Sequence, residues 1–230
     1  VPTIEEVLAL FLEDCARSSK SGRGRKDLGS IIGLFQRYLN NYAYKGLNAA
    51  DQKLLERHRK EGNQFDFCQI FGPDKISDNV SHFVASYLIR KVSQSPPFLG
   101  KAAKTLEELC IWIMRYKSVN KEKAKLAAEH AARAAINLPR AARAAKILWA
   151  ATLEGADFGS KDFDCSGYMD ISRIEEDCVW IKPPAGRVIG PLVLPPGVAE
   201  LLEPSWEINC ALARSRGRWH FVEVVNIYPH

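Results

Sequence analysis

Apolar residues recur at helical spacing through the first 158 residues and at alternate positions beyond them, so helices are predicted first and strands after. The opening stripe, Ile4, Val7, Leu8, Phe11 and Cys15, follows Thr3, and Thr3 with Glu6 makes a T-x-x-E capping box that satisfies two free helix-start amides. A second helix is predicted from about Lys26, with Leu28, Ile31, Ile32, Phe35, Leu39 and Tyr42 on one face. A third, residues 48–60, is strongly charged and stops before Gly62-Asn63. An apolar connector at 65–71 and the turn Gly72-Pro73-Asp74 lead to a helix over 77–92, carried by Val80, Phe83, Val84, Tyr87 and Leu88. Pro96-Pro97 ends any continuation of it, because proline lacks the amide and clashes with the preceding turn. A helix over 102–116 follows, with Leu106, Leu109, Cys110 and Ile113. These stripes are too broad to face water and predict a single bundle. Residues 120–153 form an alanine-rich helical stretch in which Pro139 should kink or restart the helix.

Glycine and aspartate punctuate residues 155–167, after which five strands are predicted at 168–174, 178–181, 188–194, 206–212 and 219–228. Trp206, Ile208, Cys210 and Leu212 alternate with Glu207, Asn209, Ala211 and Ala213, the pattern of a strand with one buried and one more exposed face. The segment Arg214-Ser-Arg-Gly-Arg218 reads as a hairpin turn, and Pro195-Pro196-Gly197 with Val198, Leu201 and Leu202 as one helical turn. The expected fold is therefore α+β in two domains, an all-α bundle over 1–158 and, over 159–230, a five-stranded barrel that resembles the SH3-like type. An OB-fold competes, but its strands and helix usually need more residues.

Charge sharpens this division. Residues 1–158 carry 25 Lys plus Arg against 17 Asp plus Glu, while residues 159–230 carry 7 against 10. A basic half of net +8 beside an acidic part of net −3 suggests an anionic partner for the first, nucleic acid being the commonest. A solvated charged surface explains the same excess equally well. No run approaches a membrane span and no signal-peptide pattern opens the chain, so the expected setting is cytoplasmic with no membrane partner. Cys15, Cys68, Cys110, Cys165, Cys178 and Cys210 form no C-x-x-C pair, and the expectation is free thiols, mostly buried, in place of disulfides or a metal site.

Fragments that mimic catalytic motifs fail on context. Gly24 to Ser30 has the glycine spacing of a phosphate loop but lacks its lysine and a preceding strand, and Asp157-Phe158-Gly159 spells a kinase tripeptide without the rest of a kinase. His58, His82, His130, His220 and His230 show no metal-binding spacing, and no Ser, Cys or Thr has a recognisable base. Asn79-Val-Ser81 matches a glycosylation acceptor, which matters only in a secreted chain. No cofactor or metal is expected.

One resemblance stands out in the helical part. Phe11-Leu-Glu13, the run Gly29 to Asn40, Phe83 to Leu88 and Thr105 to Ile113, over about residues 3–118, resemble the helical core-binding domain of tyrosine recombinases and phage integrases. In that family the domain clamps one face of duplex DNA through phosphate contacts, while a separate domain supplies Arg, Lys, H-x-x-R and a nucleophilic Tyr. His130-Ala-Ala-Arg133 fits H-x-x-R in letters only, since it lies in the alanine-rich helix with no catalytic domain before it, and Tyr228 closes a strand. Recombinase catalysis is therefore not carried over; the resemblance implies DNA binding alone.

The leading expectation is a non-enzymatic protein that contacts nucleic acid through phosphates. Lys20, Arg23, Arg25 and Lys26 in a flexible basic connection are the first candidate contacts, and Arg140, Arg143 and Lys146 the second. Trp180, Trp206 and Trp219 could stack on single-stranded bases, although tryptophan at alternating strand positions is more often core. The competing readings are a protein-interaction module, with the barrel docking a peptide and the alanine-rich helices pairing between protomers, and an enzyme whose site lies between the domains.

Overall fold

A computed structural model describes residues 1–18, 22–60, 67–92, 94–154 and 164–229, with the side chains of residues 18, 22–26, 59 and 154 left out. It is an α+β protein with helices first and a five-stranded antiparallel sheet at the end. The helices are α1 (Ile4–Ser18), α2 (Gly22–Tyr42), α3 (Ala49–Lys60), α4 (Phe67–Ile70), α5 (Asp74–His82), α6 (Leu88–Lys91), α7 (Pro96–Ile113) and α8 (Lys121–Glu154). A π-helical turn, Phe83–Tyr87, joins α5 to α6. The strands are β1 (Cys165–Glu175), β2 (Cys178–Lys182), β3 (Ile189–Val193), β4 (Glu207–Ser215) and β5 (Arg218–Tyr228), in the order β3-β2-β1-β4-β5.

The chain divides into two compact units, Val1–Tyr87 with Lys101–Arg133, and Leu88–Gly100 with Ala134–His230. This differs from the sequence division at 158/159, because α6, the start of α7 and the second part of α8 belong with the sheet.

In the first unit the capping box forms as expected. The Thr3 amide donates to Glu6 Oε2 at 2.9 Å and the Glu6 amide to Thr3 Oγ1 at 3.3 Å. Asn48 caps α3 similarly, accepting from the Asp51 amide at 2.9 Å. Ile4, Val7, Leu8 and Phe11 are buried against neighbouring helices, as are Ile31, Ile32, Phe35 and Leu39 of α2. Phe35, Tyr38 and Phe83 pack ring on ring, and the Tyr38 hydroxyl lies 2.9 Å from His82 Nδ1. Burial pushes the Tyr38 hydroxyl up to about 12.

Asp14 of α1 accepts from the Trp112 indole and from the Arg115 guanidinium, each at 3.0 Å. These two bonds hold its carboxyl below the ordinary range. A carboxylate with a depressed folded-state pKa contributes stability above its unfolded pKa and loses it as pH falls through the folded value. Asp14→Asn is therefore expected to flatten the decline in stability below about pH 4, measured as urea midpoints against pH. Parallel acid limbs for the two proteins would refute it.

In the second unit Ala141, Ala144 and Leu148 of α8 pack into the same core as Met169, Ile171, Val179, Ile181, Trp206 and Ile208 of the sheet region. Small side chains let the helix approach closely, and Ala124, Ala127 and Ala131 are buried likewise in the first unit. The alanine face is thus occupied by this chain's own cores. The edge strands β3 and β5 approach each other, so the sheet is curled.

Several sequence expectations need correction. The alanine-rich stretch does not restart at Pro139: it is one helix with the proline inside it. Proline costs the bond to the Ala135 carbonyl, but Gly100 lies against that carbonyl and the proline ring so closely that a Cβ there would stand 3.0 Å and 2.8 Å from them. Packing on a bare backbone offsets the local penalty. The preceding helix ends at Lys91, short of Pro96-Pro97 as expected, but these prolines themselves begin α7, six residues before the predicted start at 102, because a missing amide costs nothing there. The apolar connector contains the one-turn helix α4. Strand β1 starts three residues early because Cys165, Ser166 and Gly167 pair with Leu212, Ala211 and Cys210 of β4. On β4, Ala211 and Ala213 are as buried as the predicted inner face, so the alternation does not separate a core side from a solvent side there.

Candidate nucleic-acid interface

The second unit holds a cleft of about 530 Å³ between α6, α8 and β5. On α8, Ala142, Ala145, Lys146 and Trp149 line it, the spacing that places side chains on one helical stripe. The small alanines leave room, and Lys146 and Trp149 stand at the edge. Strand β5 contributes four consecutive residues, 224–227, where plain alternation would offer every second one. The reason is a bulge: Asn209 of β4 faces Asn226 and Cys210 faces Val224, so Val225 is an extra residue that re-aims the strand. The end of α6 brings Arg90 and Lys91, and Gln94 follows.

Three cationic residues, Arg90, Lys91 and Lys146, line the cleft with two carboxamides, Gln94 and Asn226, and among the described residues no Asp or Glu lines it. Arg90 is held in place, donating to the Tyr168 hydroxyl at 2.5 Å with its guanidinium 5.6 Å from the ring centre. Tyr168 in turn packs on Tyr228 at 5.7 Å, and burial raises the Tyr228 hydroxyl above its ordinary range. Among the described residues Lys91 and Lys146 make no ion pair, and both are exposed. Trp149 is 51% exposed. Together these groups can neutralise an anion and offer a flat apolar face beside it.

The predicted contact residues fall into different places. Lys20 lies outside the described residues. Arg23, Arg25 and Lys26 lie on the first turn of α2, which starts at Gly22, so the basic segment is helical there and not a flexible connection; their side chains are outside the described set. Arginine and lysine are good helix formers, and two glycines are not enough to stop the helix short of them. Arg143 and Lys146 are exposed on α8. Arg140 is partly buried: it pairs with Glu203, donates to the Glu200 carbonyl at 3.2 Å and lies 5.3 Å from the Trp206 ring centre. It ties α8 to the segment before β4. Of the cations named from sequence, Lys146 lines the cleft, while Arg90, Lys91, Gln94, Trp149 and Asn226 were missed. Only Trp149 had a local signal, a large aromatic set three residues after Lys146 and off the alanine face.

The tryptophans of the sheet region divide too. Trp206 is core at 1% exposure. Trp180 is covered by Arg173 at 4.0 Å, and Trp219 lines a second, more apolar cleft of about 640 Å³ between the end of α8, β3 and β5. His130, in the H-x-x-R letters, has its Nδ1 2.7 Å from the Ser81 hydroxyl, a bond between α5 and α8 within the first unit. Neither residue lines either cleft. All six cysteines are free thiols, with Cys68, Cys110 and Cys210 buried, and burial pushes Cys110 and Cys210 up to about 12. Among the described residues no helix is long and apolar enough to cross a membrane.

The fold and this cleft define a two-unit α+β protein with a groove beside its sheet that is lined by cations. Comparison with protein-family models, with curated proteins and with solved structures found no match.

Proposed function

We propose that this protein is a non-enzymatic nucleic-acid-binding protein that holds the phosphate backbone electrostatically, with its C-terminal sheet an SH3-like barrel. The reading rests on one observation: Lys146 shares a cleft with Arg90 and Lys91 and, among the described residues, with no carboxylate. Phosphates entering it would release counterions and meet one donor, Arg90, already held in place, which gives affinity without base choice. Arg143, exposed on the same helix, extends the positive surface, and Lys20, Arg23, Arg25 and Lys26 are a further basic segment in the sequence.

The test is fluorescence anisotropy of labelled oligonucleotides at about 50 and 200 mM salt, for the native protein and for Lys91→Ala/Lys146→Ala. Micromolar binding that falls steeply with salt is expected, with the variant weaker on every sequence and its salt slope smaller by about 2. Absence of binding to any nucleic acid at the lower salt would overturn the proposal. The second cleft, with Trp219 half-buried in its wall and Val193 exposed, favours the other reading, a peptide-docking module.

A further inference from the structure

We infer that the cleft between α6, α8 and β5 takes single-stranded nucleic acid in preference to duplex, with one base stacked on Trp149. The inference rests on the proposed nucleic-acid binding and specifies its substrate. Trp149 is half exposed, on the stripe of α8 that carries Lys146 one turn earlier, and it lines the cleft. The helix buries Ala141, Ala144 and Leu148 in the core of this unit, and Trp149 is not part of that core. A base stacks on such a ring only if its own face is free, which a duplex denies and a single strand permits. The cations come from two walls of the same cleft, Lys146 on α8 with the ring and Arg90 with Lys91 at the end of α6, where a backbone running past a stacked base would meet them.

The rest of the lining supports the same occupant. Gln94 and Asn226 line the cleft, and a carboxamide carries both a donor and an acceptor, which suits the edge of any base without selecting one. The bulge at Val225 supplies an apolar patch 49% exposed against which a sugar or base can lie. Arg90 is pinned by Tyr168, so its guanidinium is oriented before a ligand arrives. A purely electrostatic surface needs neither the aromatic ring nor the paired carboxamides.

The experiment compares a labelled oligodeoxythymidylate of about 15 nucleotides with its duplex on oligodeoxyadenylate, for the native protein, Trp149→Ala and Trp149→Phe, each checked by circular dichroism. The expected result is tighter binding of the single strand, a loss of about tenfold or more in Trp149→Ala, and retention of most affinity in Trp149→Phe. Tryptophan fluorescence should also be quenched by the single strand in the native protein and much less in Trp149→Phe, a readout that stands even if the alanine variant folds poorly. Equal affinity for both probes with no effect of Trp149→Ala, or equal quenching in the native protein and Trp149→Phe, would overturn the inference while leaving phosphate binding intact. Failure of both probes to bind at low salt would overturn the functional reading itself.

Discussion

Gly190→Ala is expected to lower the unfolding free energy by about 3 kcal/mol or more, from overpacking and backbone strain acting together. Gly190 has φ of +153°, a conformation that side chains of L-residues rarely adopt. Its missing Cβ would also stand 2.5 Å from Trp180 Cδ1 and 2.8 Å from Cγ, well inside contact distance. The indole has little room to retreat, since Arg173 lies 4.0 Å over the ring and the Trp180 Cα would itself be 3.1 Å from the new carbon. Either β3 must shift off β2 or Trp180 must leave its rotamer. The strands are already irregular between Val179 and Ile181, where their register slips. Urea unfolding followed by tryptophan fluorescence measures the effect; an unchanged midpoint would mean that the glycine does not seat the indole.

Trp206→Ala is expected to cost about 3–5 kcal/mol, the usual range for emptying a large aromatic site. Trp206 is the largest of the side chains buried to within 2%, and its backbone also joins elements, its carbonyl accepting from the Ile171 amide at 2.7 Å. Removing the ring leaves a void among Met169, Ile171 and the alanines of α8, and it deprives Arg140 of the face it lies against. With total stabilities of about 5–15 kcal/mol for native proteins, the variant would be marginal. Its thermal transition should fall by about 10 °C, whereas a drop of only a degree or two would show that the site collapses around the vacancy.

Much of the architecture was legible wherever neighbours in sequence are also neighbours in space. The Thr3–Glu6 box spans four residues and needs nothing from outside the first turn. The five strands sit where alternation and turn residues placed them, with no end moved by more than three residues. Boundaries failed where a distant partner outweighed a local preference, as with Gly167, read as punctuation but held in β1 by pairing to Cys210.

The candidate site was far less legible. Arg140 looks like a free cation on an exposed helix, but its partner Glu203 lies 63 residues further along the chain. Lys146 was named for its charge, with no means of knowing that Arg90 and Asn226 would stand beside it. The bulge that presents Val225 arises from a mismatch between two strands, which neither strand shows by itself.

Taken alone, the sequence determined the order and kind of elements, the helix-start cap, the buried stripes and the excess of positive charge in its first 158 residues, because periodicity, capping and composition act over a few residues at a time. Tertiary structure decided that Pro139 lies within an unbroken helix, that part of that helix joins the sheet unit, and that one of its lysines faces a basic cleft while a nearby arginine is tied down. Those outcomes depend on which distant surfaces meet, and it is the close packing at Gly100 and the burial of Trp206 and the alanine face, summed over many contacts, that outweighs the local preference of any single residue.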